Sequence, residues 1–205
     1  MKKVQRRSLA DVRQIIIREA TALFVENGYS GTSMNIVHQK VGGSKGTIYK
    51  LFVNKEGLFS AVLDEVLSKH LTMFDGIDFE GVNLREGLVS IARQTLATVS
   101  APIAVDIWRL LYTEAPRNPE IAKLFIMHGP ERTFSGLEKF INIHNRLGGL
   151  QCAKPRESAE YFMGMLLHKP MLSRYVEYEG PFSEERLDEI ARQVSEDFLK
   201  ICNHL

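Results

Sequence analysis

The chain has 205 residues, 44% hydrophobic and 25% charged, enough to bury a sizeable core as one domain or as a small head on a larger body. No apolar run reaches the roughly 20 residues needed to span a bilayer, and no signal-type apolar stretch follows the basic start at Met1–Arg7; a cytoplasmic protein with no membrane partner is expected. The net charge of +1 hides a division, because residues 1–60 hold ten basic and four acidic residues (+6) and residues 61–205 carry −5. Such asymmetry suits a head that meets a polyanion and a body that does not.

Taken in chain order, the apolar residues recur at helical spacing and no alternating strand pattern competes. Val12, Ile16, Ala20 and Leu23 predict a first helix stopped at Gly28. A short second helix starts after Thr32 or Ser33 and ends near Val41. Gly42-Gly43 then turns the chain, and Ser44 caps a third helix running to about Lys50. Asn54 caps a long fourth helix. Prolines then delimit helices at about 84–100, 104–115, 119–128, 131–147, 156–178 and 183–203, with Pro170 predicting a kink near Leu166 or Leu167. Ser183 caps the last of them. The expectation is an all-α protein of nine to ten helices: a three-helix head at 1–55 and a helical bundle body at 56–205.

Residues 30–59 are the most informative segment. Two short helices joined by a glycine turn and flanked by longer ones describe a helix-turn-helix, or, on a plainer reading, a helical hairpin with a solvated basic face. Ile36, Val37, Val41, Ile48 and Phe52 can face inward. The start of the third helix exposes Lys45, Gly46, Thr47, Tyr49 and Lys50, a mix of cations, a hydroxyl and a side-chain-free glycine that suits entry to the major groove of double-stranded DNA.

Ile16, Ala20, Phe24, Gly28, Tyr29, Thr32, Ser33, Ile36, Gly42, Ser44, Lys45, Gly46, Ile48, Tyr49, Phe52, Lys55, Glu56 and Leu58 stand in an order that resembles the DNA-binding head of the TetR/AcrR family of bacterial regulators. The resemblance implies a recognition helix at 44–50, phosphate contacts from Ser33, Tyr49 and Lys55, and Lys45, Thr47 and Lys50 near base edges. Thr32, Ser44 and Gly46 complete the expected DNA-binding set. Three departures stand out: Gly43 for a usual valine, Leu51 for a phosphate-contacting histidine, and Val53 for a proline that would stiffen the passage into the fourth helix. Arg117-Asn-Pro-Glu-Ile-Ala, Phe125, Gly129-Pro-Glu-Arg and Gly164-Met resemble an AefR-like C-terminal domain.

Met73, Trp108, Leu111, Tyr112, Phe125, Phe162 and Met165 are the candidate lining of an effector cavity, or simply core. The last helix carries an apolar stripe at Leu187, Ile190, Val194, Phe198, Ile201 and Leu205. With Tyr161 and Met165 of the helix before it, this stripe can either close a homodimer or cover its own body. Cys152 and Cys202, far apart in sequence, read as two packed thiols or as a redox switch at Cys152. No metal-ligand spacing, phosphate-cradling loop or nucleophile elbow is present, so neither a cofactor nor catalysis is expected. The function expected is a ligand-responsive transcriptional regulator, a repressor released from a pseudo-palindromic operator by a small apolar or aromatic effector. The alternative is an architectural or division-control DNA binder without an effector.

Overall fold

The structure is a computed structural model describing residues 8–71, 74, 78–177 and 179–202, so Met73 and Leu205 lie outside the described residues. Ten α-helices and one short 3-10 helix are present among them, with no strand: α1 Leu9–Gly31, α2 Met34–Val41, α3 Lys45–Phe52, α4 Lys55–Leu71, η1 Phe79–Gly81, α5 Leu84–Val99, α6 Pro102–Glu114, α7 Pro119–His128, α8 Pro130–Arg146, α9 Pro155–Tyr175 and α10 Glu184–Cys202. The all-α expectation holds.

The boundaries have local causes. Ser8 and Asp11 form a reciprocal capping box at the start of α1, Ser33 accepts from the Ile36 N–H, Asn54 from the Gly57 N–H and Ser183 from the Arg186 N–H. Helices α6, α7, α8 and α9 each open on a proline, which needs no N–H at a first-turn position. Gly28 takes φ 75° inside α1, a conformation that L side chains rarely adopt, and bends the helix there. Helix α9 continues through Pro170.

The chain divides into two compact units, one of residues 1–65 with Arg109–Phe125, the other of Val66–Trp108 with Ile126–Leu205. In the first, Phe24, Tyr29 and Phe59 form an aromatic core with ring centroids 5.1–5.7 Å apart. Fully burying a large apolar side chain contributes about 1.5–3 kcal/mol, so this trio anchors the head. Arg109–Phe125 belongs with the head through a polar cluster: the Glu114 carboxylate accepts from the Ser30 N–H (3.3 Å) and hydroxyl (2.7 Å) and from the Asn118 amide (3.0 Å).

In the second unit, α5 packs against α10 and α8 against α9 around Leu96, Phe140, Phe162, Leu166 and Phe198. Its surface is laced with ion pairs. Arg156 makes a two-pronged bond to Glu131 (3.0 and 2.8 Å) and reaches Glu160, while Arg93 bridges α5 to Glu184 and Asp188 of α10.

Candidate nucleic-acid interface

Helix α3 is seated by two residues of its inner face, Ile48 and Phe52, and α2 by Met34 and Val37. Arg13 of α1 lies over the Phe52 ring at 5.7 Å, further fixing the angle of α3. What remains outward is polar. Ser44, Lys45, Gly46, Tyr49 and Lys50 are exposed and Thr47 is half-buried, so five of the expected contacts share the open side of one eight-residue helix and the sixth, Ser44, stands at its N-cap. The Ser44 hydroxyl makes no capping bond, leaving the first N–H groups of α3 facing outward with it. Lys45 sits over the Tyr49 ring at 5.9 Å, and Lys40, Lys45 and Lys50 enter no ion pair among the described residues. Ser33 is exposed at the start of α2.

Two expected contacts have other employment. Thr32 is only 1% exposed, and its hydroxyl donates to the Leu23 and Gly28 carbonyls (3.0 and 2.9 Å). It closes the bend after Gly28 instead of facing DNA, a correction to its place in the binding set. Lys55 donates to the Tyr29 carbonyl at 3.0 Å and lies 4.3 Å from that ring's centroid, clamping α4 to the end of α1. Burial, with Glu56 nearby, pushes the Tyr29 phenol well above its ordinary pKa, so it stays neutral beneath this cation.

The passage from α3 to α4 departs from expectation. Instead of a loosened connection, Val53 sits at φ 63°, ψ −56°, with the Asn54 N–H bonded to the Phe52 carbonyl at 2.6 Å. That is a γ-turn of the rare, strained kind, centred on a β-branched residue that is 74% exposed. A Cβ on Gly57 would lie 2.2 Å from the same carbonyl, so only glycine fits opposite the turn.

Within the second unit, the candidate effector residues Trp108, Phe162 and Met165 occupy different surroundings. Phe162 is sealed in the core against Phe198 at 5.0 Å, and Trp108 packs apart from it with Val99, Val105, Met171 and Tyr175. Met165 is exposed. In the other unit Leu111 and Phe125 are buried, while Tyr112 is 63% exposed. Among the described residues a groove of about 460 Å³ runs along α8, lined by Ser135, Glu138, Lys139, Asn142, Ile143 and Arg146 and open to solvent.

The interface residues also need correction. Leu187 and Phe198 are buried in their own unit, and Ile190 and Val194 pack partly against the same core, so this part of the α10 stripe covers its own body. Periodicity shows that a face is buried without showing what buries it. Tyr161 and Met165 of α9 and Ile201 of α10 are exposed, and Leu172 and Val176 join them. Sequence reasoning missed those two and the Glu114–Ser30–Asn118 cluster, in which Ser30 lies more than 80 residues from both partners.

A short helix locked onto its neighbour, presenting unpaired cations and hydroxyls at its start, defines a helix-turn-helix regulator. Residues 16–62 match bacterial regulatory proteins of the tetR family, and residues 86–201 match the C-terminal domain of AefR-like transcriptional repressors. The chain therefore belongs to the TetR family, on its AefR-like branch. It is 28% identical over 116 residues to the transcriptional regulator UidR of Escherichia coli K12, covering 55% of this chain and 56% of UidR. The matches span between 31% and 56% of the length of the curated relatives. Among solved structures, a TetR-family regulator from Mesorhizobium loti is 29% identical with a TM-score of 0.72, over 96% of this chain and 98% of that one. The flavonoid-responsive regulator FrrA is 29% identical with a TM-score of 0.77, over 94% and 97%. Family and fold are those of transcriptional regulators.

Proposed function

We propose that the protein is a homodimeric, non-catalytic repressor of the cytoplasm that binds a pseudo-palindromic operator through α3 and leaves it when a small apolar or aromatic effector binds the helical body. The observation that carries the reading is the exposed side of α3, where Lys45, Gly46, Thr47, Tyr49 and Lys50 stand together on a helix immobilised by Ile48 and Phe52. Lys45, Thr47 and Lys50 are assigned to base edges, with Ser33, Ser44 and Tyr49 on phosphates; Lys55 holds the head together and reaches the backbone with its remaining donors. Two such helices would enter successive major grooves about 34–36 Å apart.

The pairing surface we assign is the exposed apolar face of α9, Tyr161, Met165 and Leu172, with Val176 just after its end and Ile201 of α10. Apolar residues recurring along one face of a helix whose opposite face is already buried call for a second copy. The effector class is supported by the flavonoid response of FrrA, to which this chain is 29% identical over 94% of its length.

The test is fluorescence anisotropy with DNA from upstream of the protein's own gene, at several salt concentrations. Saturable binding of one dimer per palindrome is expected, and a flavonoid or aromatic panel should release it. Binding that ignores sequence and resists every effector would favour the architectural alternative. A Met165→Glu, Leu172→Glu protein should sediment as a monomer; a dimer would move the pairing surface elsewhere.

A further inference from the structure

Cys152 and Cys202 are 50 residues apart, yet their sulfurs lie 2.8 Å from each other in the core of the second unit. That is closer than two non-bonded sulfurs keep and longer than the covalent bond of about 2.05 Å. Neither side chain arrives there by accident of the surface, since Cys152 is 7% and Cys202 4% exposed. The approach is built from both sides. Cys202 occupies the last described turn of α10, whose inner face (Ala191, Phe198, Leu199) holds it against the core. Cys152 lies in the segment between α8 and α9, and the Asn145 side chain grips its backbone twice. The Asn145 amide donates to the Cys152 carbonyl (2.8 Å), and its oxygen accepts from the Cys152 N–H (3.0 Å). An amide that satisfies both backbone groups of one residue fixes where that residue's side chain points.

We propose that Cys152 and Cys202 form a reversible oxidation site whose substrate is a hydroperoxide and whose product is an intramolecular disulfide. One sulfur, as thiolate, attacks a peroxide oxygen; the O–O bond breaks, and the departing hydroxide takes up a proton as water. The resulting sulfenic acid is then attacked by the second sulfur, the S–S bond forms, and the sulfenic oxygen leaves as a second water. Two thiols lose two electrons and two protons, and one hydrogen peroxide becomes two waters.

Burial, reinforced by the neighbouring sulfur, pushes the Cys202 thiol up to about 12, so Cys202 is a protonated thiol at neutral pH and reacts slowly while the core is closed. Oxidation therefore proceeds through local opening of the α8–α9 segment, which carries two successive glycines at 148 and 149. Once formed, the bond closes a loop spanning all of α9 and α10 and removes that much freedom from the unfolded chain.

The experiment uses the full-length protein, reduced, freed of reductant, treated with hydrogen peroxide and then blocked with N-ethylmaleimide. The expected result is an intact mass lower by two hydrogens, both cysteines refractory to alkylation, and a peptide pair joined through Cys152 and Cys202. Dithiothreitol should reverse it, and the oxidised protein should melt about 10 °C higher. The Cys202→Ser protein should show no such shift. Addition of one or two oxygens to a single sulfur, persistent alkylation of either cysteine, or a disulfide joining two chains would each overturn the proposal.

Discussion

The two units use the same charged residues to opposite ends. On α2 and α3 of the head, Lys40, Lys45 and Lys50 are exposed and enter no ion pair among the described residues, and the hydroxyl at the start of α3 is uncommitted. In the body, Arg93, Arg156, Arg85 and Arg186 each face a carboxylate partner. Proteins gain little from surface ion pairs, roughly 0–1 kcal/mol each, so pairing is a matter of what a surface is kept from binding as much as of stability. A paired arginine is poorly placed to attract a polyanion, whereas an unpaired lysine on a rigid helix offers its charge to the first phosphate it meets. The difference teaches that the outward side of α2 and α3 and the body surface around Arg85, Arg93, Arg156 and Arg186 are two kinds of surface, one left open and one neutralised on itself.

Glu114, a half-buried carboxylate of the head, offers the largest way to break this contrast. Glu114→Ala removes three hydrogen bonds that bind Arg109–Phe125 to the end of α1 and should destabilise the head by about 2 kcal/mol, read by urea denaturation. It should also weaken operator binding without touching a DNA contact; full affinity with normal stability would show the cluster to be ornamental. Lys50→Ala tests the open cation directly. Operator affinity should fall by up to about tenfold and the salt dependence become shallower by about one, with the melting temperature unchanged.

A smaller effect belongs to the body's core. Burial holds the His144 imidazole below its ordinary pKa, and its Nε2 is enclosed with no hydrogen-bond partner among the described residues. The unfolded chain binds that proton near pH 6.5 and the folded one only at lower pH, so stability is present above about 6.5 and is lost as pH falls. Melting temperatures measured between about pH 7.5 and 5.5 should decline, and His144→Phe should flatten the decline. Smallest of all is Arg156→Gln, which breaks the pair with Glu131 and should move the melting temperature by about 2 °C or less while leaving operator affinity alone. If Arg156→Gln instead tightened or weakened DNA binding, the division of labour between the two surfaces would fail.

Much of this molecule can be read before it is folded. Prolines at 102, 119, 130 and 155 and caps at Ser33, Asn54 and Ser183 act on their own neighbours, which is why those helices begin where expected. The outward residues of α3 were legible for the same reason, since helical spacing assigns faces. What escaped depends on distant partners. Thr32 turns inward because carbonyls at Leu23 and Gly28 await it, and Leu187 and Phe198 bury themselves on their own core, a choice that a stripe leaves open. The cysteines, discounted for their separation, meet because α9 and α10 fold back between them.

The two ends of α3 have a consequence for how such a protein can change over generations. The helix is held between the glycines at 42 and 43 and the γ-turn at Val53, and its inner anchors are Ile48 and Phe52. None of these lies on the reading side. Substitutions at Lys45, Gly46, Thr47, Tyr49 and Lys50 can therefore accumulate without disturbing either joint or the core beneath. If the outward face of α3 reads the operator as proposed, operator preference and fold stability are separable traits, inherited on different sets of residues. A duplicated copy of this gene could acquire a new address on the chromosome while keeping its architecture, and an engineer could exchange the outward face of α3 as a cassette.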